Sequence, residues 1–355
     1  MKVLVTGGAG FIGNNLIRSL LGKPEPIPAK DPINILNLDA LTYAANTDAL
    51  AELALDRRYR MLKIDLQDAA AVRDALHDFQ PDWVMHLAAE SHVDRSIKDP
   101  GTFIQSNIVG TYNLLQASLE YWQALPAGVL DSKSSPSKES FRLLNLSTDE
   151  VYGSLTDGGA FDESSPFAPN SPYAASKAAS DHLARAWFVT YGLPVITARA
   201  SNNFGPYQHP EKLIPTVILK ALAGREIPIY GNGLNTRDWL FVEDCVDALC
   251  LLISRGMPGE SYNVGAANER TNLAMAKQIC AMLDQLRPQS AGGRYAEQIN
   301  FVADRLGHDF RYAIDATKIQ RELGWMPRND FDAALRKTVG WYIEHAQSLK
   351  TRTRE

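Results

Sequence analysis

A short apolar run, residues 2–6, leads directly into the glycine-rich segment Gly7-Gly8-Ala9-Gly10-Phe11-Ile12-Gly13. The glycines fit the spacing Gly-x-Gly-x-x-Gly and also a second register through Gly7, Gly10 and Gly13, and a helical pattern starts at once. Glycine is required where a strand turns tightly into a helix, where the backbone touches a pyrophosphate, and where helix and strand pack closely. The free N–H groups at the start of the helix attract an anion. The segment therefore predicts a strand–turn–helix unit that binds a dinucleotide.

Short β-rich runs alternate with longer helical patterns through the first two hundred residues, which predicts a parallel sheet covered by helices. The predicted strands are residues 2–6, 34–38, 60–64, 83–87, 141–146 and 194–198, and the predicted helices are residues 11–21, 69–79, 102–122 and 172–191. Beyond residue 200, glycine and proline separate shorter pieces with helices at 213–223, 243–254, 273–286 and 331–346. The predicted fold class is α/β, a Rossmann-type doubly wound parallel sheet with a second, smaller mixed α/β substrate domain. We assign residues 1–200 and 238–268 to the dinucleotide-binding domain and residues 201–237 and 269–355 to the second domain.

Composition excludes several classes of partner. The chain of 355 residues has no apolar stretch that approaches the about 20 residues needed to span a bilayer, so we expect no membrane partner. A net charge of −5 gives no diffuse attraction to nucleic acid. The N-terminus lacks the apolar region of a signal peptide, and Cys245, Cys250 and Cys280 have neither zinc nor redox spacing. We therefore expect a cytoplasmic protein with reduced core cysteines and no metal site.

Asp39 ends the second predicted strand, where a carboxylate accepts hydrogen bonds from both hydroxyls of an adenosine ribose and repels a 2′-phosphate. This position favours NAD over NADP as the cofactor. The interval from the glycines exceeds the usual about 20 residues, and the proline-rich stretch 22–32 accounts for the excess. A plain turn aspartate is the alternative for Asp39. Asp65 and Leu66 end the third strand and are candidates for the adenine edge, with a helix N-cap at Asp65 as an equally good alternative.

Tyr173 and Lys177 lie four residues apart behind Asn170-Ser171-Pro172, a good helix start, so both side chains project from one helix face. A tyrosine near its reference pKa of about 10 is phenolate in only about one molecule in a thousand at neutral pH. A neighbouring ammonium and a positively charged nicotinamide ring both favour the phenolate. The pair therefore predicts a base for oxidation of an alcohol, although the spacing alone is also that of an ordinary helical pair.

The run Ser147-Thr148-Asp149-Glu150-Val151-Tyr152-Gly153 places a hydroxyl and two carboxylates where an apolar strand ends. In an extended strand Asp149 and Glu150 point to opposite faces, so both reach one site only if the chain leaves extended geometry at Asp149. Adjacent carboxylates repel, which raises one pKa and allows one group to act as acid and the other as base. Elimination of water next to a carbonyl needs such a pair. A solvated acidic turn or a helix cap is the alternative.

These motifs, with the runs at 39–43, 89–96, 173–181, 201–207, 237–239 and 304–309, make nearly the whole chain resemble the extended short-chain dehydrogenase/reductase family and, within it, the dTDP-glucose 4,6-dehydratases. The resemblance implies a lyase that converts dTDP-glucose to dTDP-4-keto-6-deoxyglucose with NAD as cofactor. Tyr173 would remove the C4 hydroxyl proton as hydride passes to NAD+, while Thr148 hydrogen-bonds the same oxygen. Glu150 would take the C5 proton and Asp149 would protonate the departing C6 hydroxyl. Hydride would then return to C6, which regenerates NAD+ in place.

The resemblance also implies the binding residues. The cofactor-binding positions are Gly7, Gly10, Phe11, Ile12, Gly13, Asp39, Thr42, Asp65, Leu66, Ala88, Tyr173 and Lys177. The substrate-binding positions are Ser91, Asn202, Lys212, Leu213, Pro228, Tyr230, Arg237, Asn272, Arg305 and His308. The planar guanidinium of arginine suits phosphate oxygens. Two of these residues have ordinary alternatives: Arg237 could form a surface ion pair with Asp238, and His308 could be a plain loop residue. The sequence departs from the family pattern at Phe204, where the family commonly has tyrosine.

Other functions share much of this site. A UDP-hexose 4-epimerase or a UDP-uronic acid decarboxylase would use the same oxidising pair, but an epimerase has no need of an acid and a base beside C5 and C6. A nonenzymatic NAD-binding protein is the alternative from another class, and it should tolerate loss of Tyr173 or Lys177. The predicted helices 102–122 and 172–191 are apolar on more than one face, and with the resemblance they predict a homodimer through a four-helix interface.

Overall fold

The computed structural model describes residues 1–22, 32–127, 136–156, 158–289 and 292–350. The strands are β1 (Lys2–Thr6), β2 (Asn34–Asp39), β3 (Tyr59–Lys63), β4 (Trp83–His86), β5 (Arg142–Thr148), β6 (Val195–Ala200), β7 (Asn202–Phe204), β8 (Ile227–Tyr230), β9 (Thr236–Phe241), β10 (Ser261–Val264), β11 (Glu269–Thr271) and β12 (Ile299–Val302). The α-helices are α1 (Phe11–Gly22), α2 (Thr47–Ala51), α3 (Ala69–Phe79), α4 (Val93–Lys98), α5 (Pro100–Phe103), α6 (Gly110–Ala124), α7 (Pro172–Tyr191), α8 (Leu213–Leu222), α9 (Val242–Arg255), α10 (Asn272–Leu286), α11 (Thr317–Leu323) and α12 (Phe331–Lys350). Most of the proline-rich stretch 22–32 lies outside the described residues.

Seven strands form a parallel sheet in the order β10-β6-β5-β4-β1-β2-β3. Val3 and Val5 of β1 pack into a core on one face with α1 and α9, whereas Leu4 packs into the core on the other face with α3 and α6. Burial of both faces explains why the strands are nearly continuous apolar runs. The predicted Rossmann-type fold is confirmed. From β1 the chain adds strands towards one edge of the sheet, as far as β3, and then adds β4 and the later strands on the other side of β1. The switch point therefore lies between β1 and β4, and ligands of such sheets bind there, at the carboxyl ends of the strands.

The predicted strands of the first two hundred residues correspond to β1 to β6 with shifts of one or two residues at their ends. The predicted helix 102–122 is part of a longer helical run from Pro100 to Ala124, but its section Ile104–Val109 is wound as a π-helix. The wider turn directs the buried side chain of Asn107 inward, where its amide exchanges two hydrogen bonds of 2.8 and 2.9 Å with the backbone of Glu90. Asn107 also donates to Ser176 Oγ of α7 at 2.8 Å, which ties α7 to the loop after β4.

Beyond β6 the chain builds a second, smaller lobe. Its sheets are β11-β9-β7 and the parallel pair β12-β8, and helices α8, α10 and α12 pack around a core that includes Trp239 and Leu335. Phe204 is fully buried there, with its ring centroid 5.5 Å from those of Phe241 and Phe331. The chain returns to the main sheet through β10, which pairs with β6. Among the described residues, no helix combines the length and apolar character that a membrane span requires.

Candidate active site

The glycine-rich turn after β1 lies against the end of β4. Gly7 has a φ of +73°, and a Cβ there would lie 2.6 Å from the Cα of Ala88. A Cβ on Gly13 would lie 2.2 Å from the carbonyl oxygen of Gly7, so α1 packs directly on the turn. The hydrogen bond from Gly10 N to Gly7 O, 3.1 Å long, closes the turn. The glycines therefore allow the backbone at the N-terminus of α1 to lie directly against the end of β4 at the switch point.

A cavity beside this turn is lined by seven of the predicted cofactor-binding residues, including those expected to hold the adenosine end of NAD. Gly7, Gly10, Asp39, Thr42, Asp65, Leu66 and Ala88 line it. The Asp39 carboxylate accepts hydrogen bonds of 2.8 Å from the backbone N–H groups of Ala9 and Leu41, and burial raises its pKa. The N-cap alternative for Asp65 is wrong, because the N-cap of α3 is Asp68 and Asp65 instead accepts a hydrogen bond from the backbone of Gln67 at 2.9 Å.

The acidic run leaves extended geometry where the sequence predicts. Thr148 ends β5 in extended conformation, and residues Asp149–Tyr152 form a 3₁₀ turn. The Thr148 hydroxyl donates to Asp149 Oδ1 at 3.0 Å and accepts from the backbone N–H of Glu150 at 3.2 Å. Both carboxylates consequently line one cavity of about 240 Å³. Thr148 is also the cap of this turn, so the cap alternative describes the same residues rather than a different site.

Asp149 has the environment of an acid. Its side chain is buried, and no hydrogen-bond partner among the described residues meets its Oδ2 atom. Burial, followed by the negative charge of Glu150, raises the pKa of Asp149 to about 8, so this carboxyl holds its proton at neutral pH. Burial also raises the pKa of Glu150, while the cations Arg305, Lys212 and Arg237 oppose that rise. The two carboxyls thus differ in a way that suits one acid and one base.

Tyr173 and Lys177 project from the first turns of α7 into the same cavity. Ser171 caps the helix by accepting from Ala174 N at 3.1 Å, and Pro172 occupies its first turn. Burial raises the pKa of Tyr173, and Glu150 adds to the rise, so the protein alone acts opposite to the predicted lowering by Lys177. The Nζ of Lys177 donates to the carbonyl of Leu146 at 2.7 Å, and burial lowers its pKa to about 8.

A second cavity of about 610 Å³ adjoins the first and is lined by residues of both lobes. It contains nearly all the predicted substrate-binding residues, namely Asn202, Lys212, Leu213, Pro228, Tyr230, Arg237, Asn272, Arg305 and His308, together with Glu150. Ser91 lines the first cavity instead. The carbonyl of Ser91 accepts a hydrogen bond of 2.6 Å from the Lys212 ammonium, so the backbone of this residue links the two lobes.

The cations of this cavity are held differently from one another. Arg237 donates to the carbonyls of Thr236 and Asp309 at 2.8 and 2.9 Å. The alternative ion pair with Asp238 is wrong, because that carboxylate accepts from backbone N–H groups of the loop after β10. The Nε of Arg305 is buried without a hydrogen-bond partner among the described residues. His308 is not a free loop side chain, since its Nδ1 lies 2.6 Å from Asp304 Oδ1.

Two features of the site escaped prediction from the sequence. Glu211 bridges the lobes at the rim, where its carboxylate accepts from Tyr43 Oη at 3.0 Å and from Arg95 Nε at 3.4 Å, and Arg95 stacks 3.5 Å above the Tyr43 ring. Tyr312, in the second cavity, has its hydroxyl 3.5 Å from Glu150 Oε2. Tyr43 and Arg95 lie in the runs 39–43 and 89–96 that carry the family resemblance. These runs were the only sign in the sequence analysis that the two residues belong near the site.

This arrangement defines a class: a short-chain dehydrogenase/reductase fold with a Tyr-Lys pair at its switch point and an added acid–base pair beside it. Residues 4–338 match the family described as GDP-mannose 4,6 dehydratase. A dTDP-glucose 4,6-dehydratase of Neisseria meningitidis serogroup B is 51% identical over 97% of this chain and 94% of its own length. The chain belongs to this family, among the dTDP-glucose 4,6-dehydratases.

Solved structures agree with this assignment. The crystal structure of a dTDP-glucose 4,6-dehydratase from Streptomyces venezuelae, with NAD and the ligand TYD bound, has a TM-score of 0.87 at 41% identity and covers 99% of this chain and 100% of that one. A UDP-glucose 4-epimerase from Thermotoga maritima, solved with UDP-glucose, has a TM-score of 0.81 at 25% identity over 97% of this chain and 99% of its own. The fold is therefore shared with enzymes of different chemistry, so the site must decide between them.

Proposed function

We propose that this chain is an NAD-dependent hydro-lyase that converts dTDP-glucose to dTDP-4-keto-6-deoxyglucose, with NAD+ regenerated in place. The decisive observation is the 3₁₀ turn that brings Asp149 and Glu150 into the cavity of Tyr173 and Lys177. Oxidation at C4 uses the Tyr-Lys pair and Thr148, whereas loss of water across C5 and C6 requires an additional acid and base. The names of the relatives support dTDP-glucose as the substrate.

The residues present fit NAD. The turn at Gly7, Gly10 and Gly13 offers backbone N–H groups where a pyrophosphate would bind, and a Cβ at Gly7 or Gly13 would collide with backbone. Asp39 stands at the end of β2 beside the adenosine-end cavity, where a carboxylate selects against a 2′-phosphate. Phe11 and Ile12 line the cavity that contains Tyr173 and Lys177. When bound, NAD+ supplies the acceptor for the C4 hydride and returns that hydride to C6.

In the oxidation step Tyr173 accepts the proton of the C4 hydroxyl, and the Thr148 hydroxyl hydrogen-bonds the same oxygen. The pKa of Tyr173 is raised by burial and by the neighbouring carboxyls, so retention of the proton on Asp149 removes one of the opposing charges. Lys177, held beside β5 by the Leu146 carbonyl, provides the nearby ammonium. Tyr173 must therefore be a phenolate and Lys177 an ammonium before C4 can be oxidised.

In the dehydration step the C4 ketone acidifies C5, and Glu150 takes the C5 proton. Asp149 gives its proton to the departing C6 hydroxyl, so the C6–O bond breaks, water leaves and a C5–C6 double bond forms. After hydride returns to C6, Glu150 returns its proton to C5. One turnover adds a proton to Tyr173 and removes one from Asp149, so passage of one proton from Tyr173 back to Asp149 restores both groups and balances the cycle. Each carboxyl thus has one role, as the difference between their environments requires.

The second cavity suits the nucleoside diphosphate of the substrate. The guanidinium groups of Arg237 and Arg305 line it and match the geometry of diphosphate oxygens. The unpartnered, buried Nε of Arg305 is a donor available for such an oxygen. Pro228 and Tyr230 would flank the base, with His308 near the nucleoside, and Asn202, Asn272, Lys212 and Leu213 would line the passage towards C4. We propose that Ser91, beside the glycine turn, contacts the sugar.

The acid–base pair also separates this proposal from its rivals. A UDP-sugar epimerase or decarboxylase with the same fold would share Tyr173 and Lys177, but a buried carboxyl that keeps its proton at neutral pH, as Asp149 does, has no use in epimerisation. A nonenzymatic NAD-binding protein has no use for any of these groups.

The proposal is tested by incubating the purified protein with dTDP-glucose and with UDP-glucose, separately and without added NAD+. Mass spectrometry should detect loss of one water from dTDP-glucose and appearance of a 4-keto-6-deoxy product. A Tyr173→Phe variant should keep the fold and lose product formation, because only the phenolic oxygen is removed. No product from either nucleotide sugar would refute the proposal, and an epimerised hexose with no loss of water would favour the epimerase.

We also propose a cytoplasmic homodimer that pairs α6 and α7 with their symmetry mates. Tyr112 and Tyr191 are 45% and 47% exposed, and Trp187 contacts both rings at centroid distances of 5.8 and 5.6 Å. Such an aromatic surface on two adjacent helices favours burial against a partner. Cys245 and Cys280 are buried free thiols, as expected in a reducing compartment. Sedimentation should give about twice the chain mass, and Tyr112→Glu should yield monomer.

A further inference from the structure

A buried hydrogen-bond network lies behind the site and includes Asp181, Arg199, Tyr152, Asn145 and Asn263. The mechanism proposed above uses none of them. Arg199 and Asp181 are 7% and 3% exposed, and Tyr152 is 1% exposed. Buried charges persist only when paired and hydrogen-bonded, so these side chains form a unit.

Arg199 joins the members from the carboxyl end of β6, where it is the penultimate residue. Its Nε donates to Asp181 Oδ2 at 2.9 Å, and a different nitrogen, NH1, donates to the hydroxyl of Tyr152 at 2.8 Å. The third nitrogen donates to Ser261 Oγ at 3.2 Å, and the guanidinium lies 4.7 Å from the ring centroid of Phe167. One planar group thus fixes a helix, a turn and two strands of the sheet in a single geometry.

Tyr152 attaches the network to the acid–base turn. It is the last residue of the 3₁₀ turn Asp149–Tyr152, and its hydroxyl donates to Asn263 Oδ1 at 2.8 Å. Its ring stacks on Phe161 with 5.2 Å between centroids. Asn263 is in turn held by the carbonyl of Phe161, to which it donates at 3.0 Å. Since the turn has only four residues, displacement of Tyr152 displaces both carboxyls.

Asp181 attaches the network to the redox helix. It follows Tyr173 and Lys177 at four-residue spacing on α7, so the three side chains share a helix face. Its other oxygen, Oδ1, accepts from Asn145 Nδ2 of β5 at 3.2 Å. The Asp181 charge also favours the ammonium form of Lys177, whose pKa burial lowers.

We propose that Asp181, Arg199 and Tyr152 are positioning residues that hold the acid–base turn at a fixed distance from the Tyr173–Lys177 pair. The inference rests on the proposed function. Oxidation needs C4 in contact with Tyr173 and with Thr148 at the end of β5, whereas dehydration also needs C5 and C6 of the same sugar in register with the turn Asp149–Tyr152. Loosening the network should therefore slow dehydration more than C4 oxidation.

The test uses Tyr152→Phe and Arg199→Lys in the full-length enzyme with dTDP-glucose. Tyr152→Phe removes the one oxygen that joins Arg199 to the turn. Arg199→Lys keeps the charge but cannot reach Asp181 and Tyr152 together. The matched control is Tyr121→Phe, which removes a buried hydroxyl of α6 that donates to Pro81 O at 3.1 Å, outside the network. Stopped-flow absorbance of the reduced nicotinamide reports C4 oxidation, product formation reports the full cycle, and melting temperature reports folding.

In both network variants we expect oxidation within about twofold of wild type, turnover reduced at least about tenfold, and accumulation of reduced nicotinamide, since a misplacement of about 1 Å can cost about 100-fold in rate. Tyr121→Phe should match wild type. The inference would be overturned if both network variants had the wild-type ratio of C4 oxidation to product formation, or if both steps were slowed equally. Either result would leave the proposed function intact. Failure of wild type itself to form product would overturn the proposed function and the inference with it.

Discussion

Asp149→Asn should make the protein more stable than wild type by an amount that grows with pH. The folded protein raises the pKa of Asp149 from 3.8 to about 8, mainly through burial. The unfolded chain therefore loses this proton near pH 4, while the folded protein retains it to about pH 8. Because the folded state binds more protons throughout this window, stability falls as pH rises, by about 1.4 kcal/mol per pH unit. Asparagine has no proton to lose and removes the effect.

Between pH 5 and 8 the difference between variant and wild type should grow by up to about 4 kcal/mol. An unfolding entropy of about 0.7 kcal/mol/K for a chain of this length converts this into about 5 °C of melting temperature. Calorimetry at pH 5, 6, 7 and 8 measures it. The control is Asp162→Asn, at an exposed carboxyl whose pKa the Ser164 hydroxyl lowers, so its charge is constant over this range. A difference between Asp149→Asn and wild type that stays constant from pH 5 to 8 would refute a protonated Asp149.

Three further predictions concern turnover and the cofactor. Turnover should fall as pH rises above about 8, because Asp149 loses the proton it must donate and Lys177, with its pKa lowered to about 8, loses the charge of its ammonium group. A stopped assay at a series of pH values measures this fall. A rate that stays constant well above pH 8 would contradict both roles. Gly7→Ala should reduce the NAD content of the purified protein and its melting temperature, since the new Cβ would lie 2.6 Å from Ala88 Cα. An unchanged NAD content would show that the turn accommodates the methyl group and would contradict this prediction. Asp39→Asn should weaken NAD binding about tenfold, as expected for loss of a charged hydrogen-bond acceptor, and equilibrium dialysis against NAD would expose an unaffected affinity.

Much of the fold followed from sequence because its strongest signals are local. The glycine turn and the alternation of apolar strands with amphipathic helices specify the main sheet. β10 escaped prediction because four residues are too few for their alternation of polar and apolar side chains to indicate a strand, and its place depends on pairing with β6. The π-helical section 104–109 also has no local signature, since it depends on the contacts of Asn107 with Glu90 and Ser176.

The same distinction holds at the site. Departure from extended geometry at Asp149 was predictable, because two adjacent carboxylates serve one substrate only on a turn. The raised pKa of Tyr173 was not, since it depends on burial and on carboxyls brought close by folding. The role of Arg199 was missed because the predicted strand ends at residue 198, whereas β6 extends to Ala200 and buries Arg199 beside its carboxylate partner Asp181.

The most direct test of the account follows the two half-reactions in Glu150→Gln with dTDP-glucose in deuterated water. Mass spectrometry of the sugar and absorbance of the reduced nicotinamide separate C4 oxidation from removal of the C5 proton. We expect oxidation to remain detectable while C5 deuterium exchange and loss of water both fall by about 100-fold or more, the scale of lost general-base catalysis. Full turnover in this variant would contradict the assignment of Glu150 as the base and, with it, the role of the acid–base turn.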